Sequence, residues 1–207
     1  MSQRSFLVFS FEYPLAPEAS FPQILKDLMT GIGNARAYFE TYDGDESCIY
    51  MTGTSAGASL CVYLAAMLGS PELAEAFEIV PAKLYIRALG LVSGMYYTTK
   101  LDSIGIFLPS YIYGKQWKKS SFYPYIDPEN EAIIRHLPPS FLVTAYGDML
   151  RNYSRQYAEA MKRGGAICHL EDFEAGKKLP HAFSTTFPEM PESRRANERM
   201  VEFLLKH

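Results

Sequence analysis

The chain has 207 residues, 48% hydrophobic and 21% charged, which suits one domain with a sizeable core and an ordinary solvated surface. A formal net charge of −3, with no dense basic run, argues against nucleic acid as a partner. Three scattered cysteines, none in a Cys-x-x-Cys pair, argue against a disulfide framework and predict a reducing, cytoplasmic setting. No leader-like start and no apolar run of about 18 residues is present, so neither export nor a membrane span is expected.

Residues 5–13 (Ser-Phe-Leu-Val-Phe-Ser-Phe-Glu-Tyr) read as a buried strand, followed by a loop stiffened by Pro14, Pro17 and Pro22. Residues 23–42 then place Ile24, Leu25, Leu28, Met29, Ile32, Ala35, Tyr38 and Phe39 at helical spacing, ending in a turn at Tyr42-Asp43-Gly44-Asp45. A short apolar strand is expected at 48–52 and a helix at 55–68. Another strand covers 84–93, interrupted by Arg87.

Residues 95–136 differ in character, with Tyr96, Tyr97, Phe107, Tyr111, Tyr113, Trp117, Phe122, Tyr123 and Tyr125 crowded together. Two readings stand: a cap-like insertion folding over the carboxyl edge of the sheet, or an ordinary packed connection with short helices. After Pro138-Pro139 come a strand at 141–145, a helix at 151–163 ending at Gly164-Gly165, a last strand at 166–173 and a terminal helix at 193–205. This alternation predicts a single α/β domain over 1–207, with a mainly parallel sheet flanked by helices.

The strongest local motif is Gly53-Thr54-Ser55-Ala56-Gly57, between an apolar run and a helical pattern. That context fits a nucleophile elbow, a strand-turn-helix that holds a serine in a strained conformation and lifts its hydroxyl from the sheet edge. Gly53 and Gly57 are expected to avoid Cβ clashes there. A serine hydroxyl attacks a carbonyl only when a base takes its proton and a carboxylate holds the base.

Of four histidines, His181 lies in the loop after the last strand, at the carboxyl edge where Ser55 must be. His136 precedes a strand, His169 lies within one and His207 ends the chain. For the acid, Asp148 directly follows the 141–145 strand; its other reading is an N-cap for the helix starting near Arg151. Asp172 and Glu174 compete by proximity to His181, Asp172 being committed to one face of a strand and Glu174 the reserve. Ala56, directly after the serine, supplies one N–H for an oxyanion. No His-Gly-Gly loop precedes Ser55 to supply a second. No His/Cys/Asp/Glu cluster has metal-ligand spacing and no phosphate loop is seen, so no metal and no cofactor is expected.

Four blocks resemble the hormone-sensitive-lipase-like esterases of the α/β-hydrolase fold. Glu12-Tyr13-Pro14-Leu15-Ala16-Pro17-Glu18 with Phe21-Pro22 is similar to the family's Tyr-Arg-Leu-Ala-Pro-Glu…Phe-Pro block. Gly53-Thr54-Ser55-Ala56-Gly57 resembles its Gly-Asp-Ser-Ala-Gly elbow. Pro138-Pro139 with Gly147-Asp148-Met149-Leu150-Arg151 is similar to its acid block, and Pro180-His181-Ala182-Phe183 to its Pro-His-Gly-Phe block. The resemblance implies Ser55 as nucleophile, Asp148 as acid, His181 as base and Ala56 as oxyanion donor. The implied activity is hydrolysis of small or short-acyl carboxylic esters through an acyl-enzyme. A catalytically weak or silent binding module is the alternative.

The departures are Thr54 for an acidic residue, Pro14 for an arginine and Ala182 for a glycine. Relative to the family, the chain starts at the fourth strand and lacks the first three, including the oxyanion loop. In that fold the third strand lies between the fourth and the fifth. The resemblance therefore implies an unpaired edge at 48–52, at about 1–3 kcal/mol for each backbone group left unpaired and buried. Three arrangements are expected: the 5–13 strand slides inward to pair with the elbow strand, a second copy pairs through the exposed edge as a homo-oligomer, or the natural product is longer.

Overall fold

The computed structural model describes residues 6–39, 41–174 and 178–207. Four strands, β1 (Ile49–Thr54), β2 (Ile86–Val92), β3 (Ser140–Ala145) and β4 (Cys168–Phe173), form one parallel sheet in the order β1-β2-β3-β4. Residues between them supply α2 (Ala56–Gly69), α3 (Pro71–Ala76), α4 (Ser103–Tyr113), α5 (Glu131–Ile134) and α6 (Arg151–Arg163). The helix α1 (Phe21–Ala35) precedes the sheet; α7 (Phe183–Thr186) and α8 (Pro191–Lys206) follow it.

Parallel strands need crossover connections, and helices on both faces bury the two central strands, β2 and β3. The apolar runs of β2 and β3 reflect that double burial. Leu89, Leu91 and Leu142 point into the cluster formed with α1, α2 and α6, while Ala88, Val92, Phe141 and Val143 point toward α8. The alternation is the strand's period of two. Arg87 is the extra residue where the β1–β2 register jumps, so it interrupts the apolar run without breaking the ladder; its Nε donates to the His207 carbonyl at 2.7 Å. Gly90 lets α8 approach closely: a Cβ there would lie 2.5 Å from Met200 Sδ.

Three expectations are corrected. Residues 6–13 form no strand, and Leu7, Val8 and Phe11 are exposed; Ser5 lies outside the described residues. A strand requires a ladder, and none is made: among the described residues β1 pairs only with β2. The expected inward slide of residues 5–13 onto the elbow strand is therefore not seen. Both segments line a trough of about 940 Å³, residues 6–13 through Phe6, Phe9 and Phe11 and β1 through Ile49 and Met51. Finally, the first long helix ends at Ala35, with a short 3-10 turn at Arg36–Tyr38, and Tyr38 is exposed rather than packed.

Residues 95–136 fold as α4, two 3-10 turns and α5. Tyr96, Tyr97, Tyr113, Ile126, Ile133 and Ile134 are buried, while Leu101, Ile106, Phe107 and Tyr111 stay exposed. The segment is fastened to α2 by the Tyr63 hydroxyl, whose one proton is shared between the carbonyls of Tyr125 and Ile126 at 2.8 and 3.0 Å.

Candidate active site

Ser55 sits between β1 and α2 with φ 55° and ψ −118°, a positive φ that a side-chain-bearing residue adopts only under constraint. The constraint is visible. Its N–H donates to the Val92 carbonyl at 2.9 Å, and its own carbonyl accepts from Ala58 and Met95 N–H groups, each at 3.1 Å. Gly53 is required by contact: a Cβ there would lie 2.3 Å from the Gly57 carbonyl oxygen. Gly57 is not, since a Cβ there meets nothing within 4 Å and points into open space; only one of the two elbow glycines is sterically demanded.

The four histidines separate cleanly. His136 Nδ1 contacts the Ala132 carbonyl at 2.9 Å on an exposed helix end. His169 stacks on Phe141, with ring centroids 4.8 Å apart, and His207 packs on Phe203 at 4.5 Å. His181 alone reaches the elbow: its Nε2 is 3.0 Å from Ser55 Oγ and its Nδ1 is 2.7 Å from Asp148 Oδ1. The loop carrying it is tied to the residues after β3 by a parallel bridge between Gly147 and Pro180.

Asp148 has a fully buried side chain, while that of His181 is 26% exposed. The carboxylate is satisfied on both oxygens: Oδ2 accepts from Thr144 Oγ1 and Oδ1 from Leu150 N–H, each at 2.9 Å. The bond to Leu150 closes a turn ahead of α6, but the N-cap of that helix is Leu150 and no side chain caps it, so the N-cap reading of Asp148 is corrected: its carboxylate faces His181 instead. A buried charge needs this full set of partners. The competitors are engaged elsewhere. Asp172 receives Arg151 through Nε at 2.8 Å and Nη2 at 3.0 Å, and Glu174 is exposed beside the same guanidinium.

Ala56 is the first residue of α2, where N–H groups have no intrahelical acceptor and the helix dipole favours negative charge. Among the described residues no group of three or more His, Cys, Asp or Glu could hold a metal ion, and no helix is long and apolar enough to cross a membrane. Chemically, the arrangement is a hydroxyl, an imidazole and a buried carboxylate in hydrogen-bonded series beside one helix N-terminus.

Sequence reasoning missed two polar residues that hold this series, Thr144 and Ser93. Each is a fully buried hydroxyl at or just past the carboxyl end of an apolar strand, which was the available signal. Ala182, where the resemblance expects a glycine, has a φ of 58° and ψ of 28°, a left-handed conformation in which a Cβ is costly.

A family model described as the alpha/beta hydrolase fold matches residues 2–185. The chain is 27% identical over 176 residues to the carboxylesterase NlhH of Mycobacterium tuberculosis, covering 80% of this chain and 54% of that protein. It is also 27% identical over 177 residues to a probable isoprenylcysteine alpha-carbonyl methylesterase of Arabidopsis thaliana, covering 80% of this chain and 37% of that one. The chain thus spans about half the length, or less, of these curated relatives. Among solved structures, esterase B from Lactobacillus rhamnosis superposes with a TM-score of 0.84 at 19% identity, over 94% of this chain and 64% of that one. The same esterase inhibited by a tributyrin phosphonate superposes with the same TM-score at 20% identity, over 94% and 63%. At these identities the structural likeness shows the fold.

Proposed function

Since the chain belongs to the alpha/beta hydrolase family, in its hormone-sensitive-lipase-like branch, we propose that it is a serine hydrolase of carboxylic esters with Ser55 as nucleophile, His181 as base and Asp148 as acid. One observation carries this reading: the continuous Oγ–Nε2 and Nδ1–Oδ1 contacts at 3.0 and 2.7 Å. With Nδ1–H donating to Asp148, the Nε2 lone pair faces the serine hydroxyl. As Oγ attacks the ester carbonyl carbon, its proton passes to Nε2. The resulting imidazolium is stabilised by the buried carboxylate, and the oxyanion meets the Ala56 N–H. Collapse breaks the bond to the alcohol oxygen, which takes the proton from Nε2 and leaves an acyl-Ser55 ester. Water, deprotonated by the same nitrogen, then releases the acid.

Small or short-acyl esters are the substrate class this reading favours, in keeping with the tributyrin phosphonate that inhibits the structural neighbour. The exposed apolar side of residues 95–136, with Leu101, Ile106 and Phe107, is assigned to a cap-like insertion of the single domain. Three free cysteines support a reducing, cytoplasmic setting, and the edge of β1 that pairs with no strand among the described residues supports homo-oligomerisation through that edge. Incubation with p-nitrophenyl acetate and a fluorophosphonate probe tests the proposal. Turnover and labelling are expected, and both should vanish in Ser55→Ala; labelling that persists in that variant would remove Ser55 as nucleophile.

A second reading, a weak or silent binding module, is favoured by one specific observation: the trough beside β1 reaches Gly53 and Gly57 at the elbow, and Ala56 is the one oxyanion donor assigned. A lost donor lowers kcat by about 10²–10³-fold. Calorimetric ligand binding without turnover would favour this module over the hydrolase.

A further inference from the structure

Resting on the reading of Ser55 and His181 as nucleophile and base, we propose that Ser93 is a positioning residue that locks the base loop onto the nucleophile elbow. Ser93 directly follows β2, is fully buried and has φ 49°, so its backbone is held in a conformation unfavourable for serine. Its N–H donates to the Val143 carbonyl of β3 at 2.8 Å, which fixes the turn to the sheet. Its Oγ accepts the Ala182 N–H at 3.0 Å, the amide next in chain after the base.

The neighbours of Ser93 hold the other partner. Val92 accepts the Ser55 N–H at 2.9 Å, Met95 donates to the Ser55 carbonyl at 3.1 Å, and the Ser59 hydroxyl donates to the Met95 carbonyl. One four-residue turn at 92–95 therefore grips the peptide groups of both Ser55 and the residue beside His181. Asp148 is fixed independently, by Thr144 and Leu150. Without the Ser93 hydroxyl, the buried Ala182 N–H loses its acceptor, and the loop must shift to regain one. The elbow, gripped by backbone groups, stays where it is. The imidazole then moves relative to the hydroxyl, and a misplacement of about 1 Å costs of the order of 10²-fold in rate.

The test compares Ser93→Ala with Ser93→Gly. Both lack the acceptor, but glycine relaxes the positive φ, so Ser93→Gly folds even where the alanine variant loses stability. Expected in both is a fall in kcat for p-nitrophenyl acetate of the order of 10²-fold, with KM within about twofold of the parent. The low-field proton resonance of His181 Nδ1–H, assigned by its loss in His181→Gln, is expected to shift or broaden in both. A Ser93→Gly variant with parental kcat and a parental His181 resonance would overturn the proposal. Failure of the underlying reading looks different: the parent chain itself shows no Ser55-dependent fluorophosphonate labelling, while the resonance still reports whether Ser93 sets the imidazole.

Discussion

His181 Nε2 lies 3.0 Å from Ser55 Oγ although the two residues are 126 positions apart in the chain. The contact is made because β1 and β4, the outer strands of a parallel sheet, both deliver their following segments to the same carboxyl edge. The imidazole is oriented from behind by a carboxylate that has no exposure of its own.

Replacing that carboxylate tests the orientation. In Asp148→Asn an amide oxygen at the Oδ1 position keeps the Leu150 and His181 contacts and turns its NH2 to the Thr144 hydroxyl, whereas an amide nitrogen at that position faces both donors with a donor. In the first orientation the charge that stabilises the imidazolium is lost; in the second the imidazole takes the wrong tautomer or turns away from Ser55. We expect kcat to fall by about 10³–10⁴-fold with near-parental thermal stability, measured by ester hydrolysis and a melting curve.

The elbow glycines should behave unequally. A Cβ at position 53 meets backbone atoms of Gly57 and Ala58 at 2.3–2.7 Å, none of which can rotate away. Gly53→Ala is expected to destabilise the fold by about 1–3 kcal/mol. Gly57→Ala meets no atom within 4 Å and lies in a helix, so its melting temperature should be unchanged or higher, by up to about 1 kcal/mol of stability. Equal losses in the two variants would contradict this steric distinction.

Ala182 occupies a left-handed conformation that suits glycine. Ala182→Gly removes the Cβ penalty there, partly offset by the greater freedom of glycine in the unfolded chain. We expect a net gain of up to about 1 kcal/mol, read as a higher denaturant midpoint with an unchanged slope.

The three thiols should differ in reactivity. Burial pushes Cys61 and Cys168 each up to about 12, whereas Cys48 is exposed. Iodoacetamide at pH 8 should modify Cys48 quickly and the other two only after denaturation, as mass spectrometry would resolve. The same shifts set a sign for stability. The two raised thiols favour folding fully below the unfolded value of about 8.5, and this contribution is lost as pH rises toward 12. Denaturant midpoints should therefore decline across that alkaline interval, and less steeply in a Cys61→Ala, Cys168→Ala double variant.

Much of the site was legible because its chemistry is written in short local patterns. The elbow pentapeptide, the aspartate directly after β3 and the histidine beyond β4 each sit where a strand ends, and strand ends are readable from apolar runs. The supporting hydroxyls were not legible in the same way. Ser93 and Thr144 look like any polar residue closing a strand until the loop after β4 folds back against them. Asp172 illustrates the reverse: its nearness in sequence to His181 says little, because the strand commits its carboxylate to Arg151.

The sequence by itself determined the alternation of strand and helix, the identity of the three groups in series and their order along the chain, since periodicity and turn chemistry are local properties. Tertiary structure alone decided that residues 6–13 are not a strand, that Gly57 has room for a side chain, and that Ala182 hangs from Ser93. Each depends on what lies across space from a residue. A strand exists only with a hydrogen-bonding neighbour, a clash only with a facing atom, and a brace only where two distant turns meet.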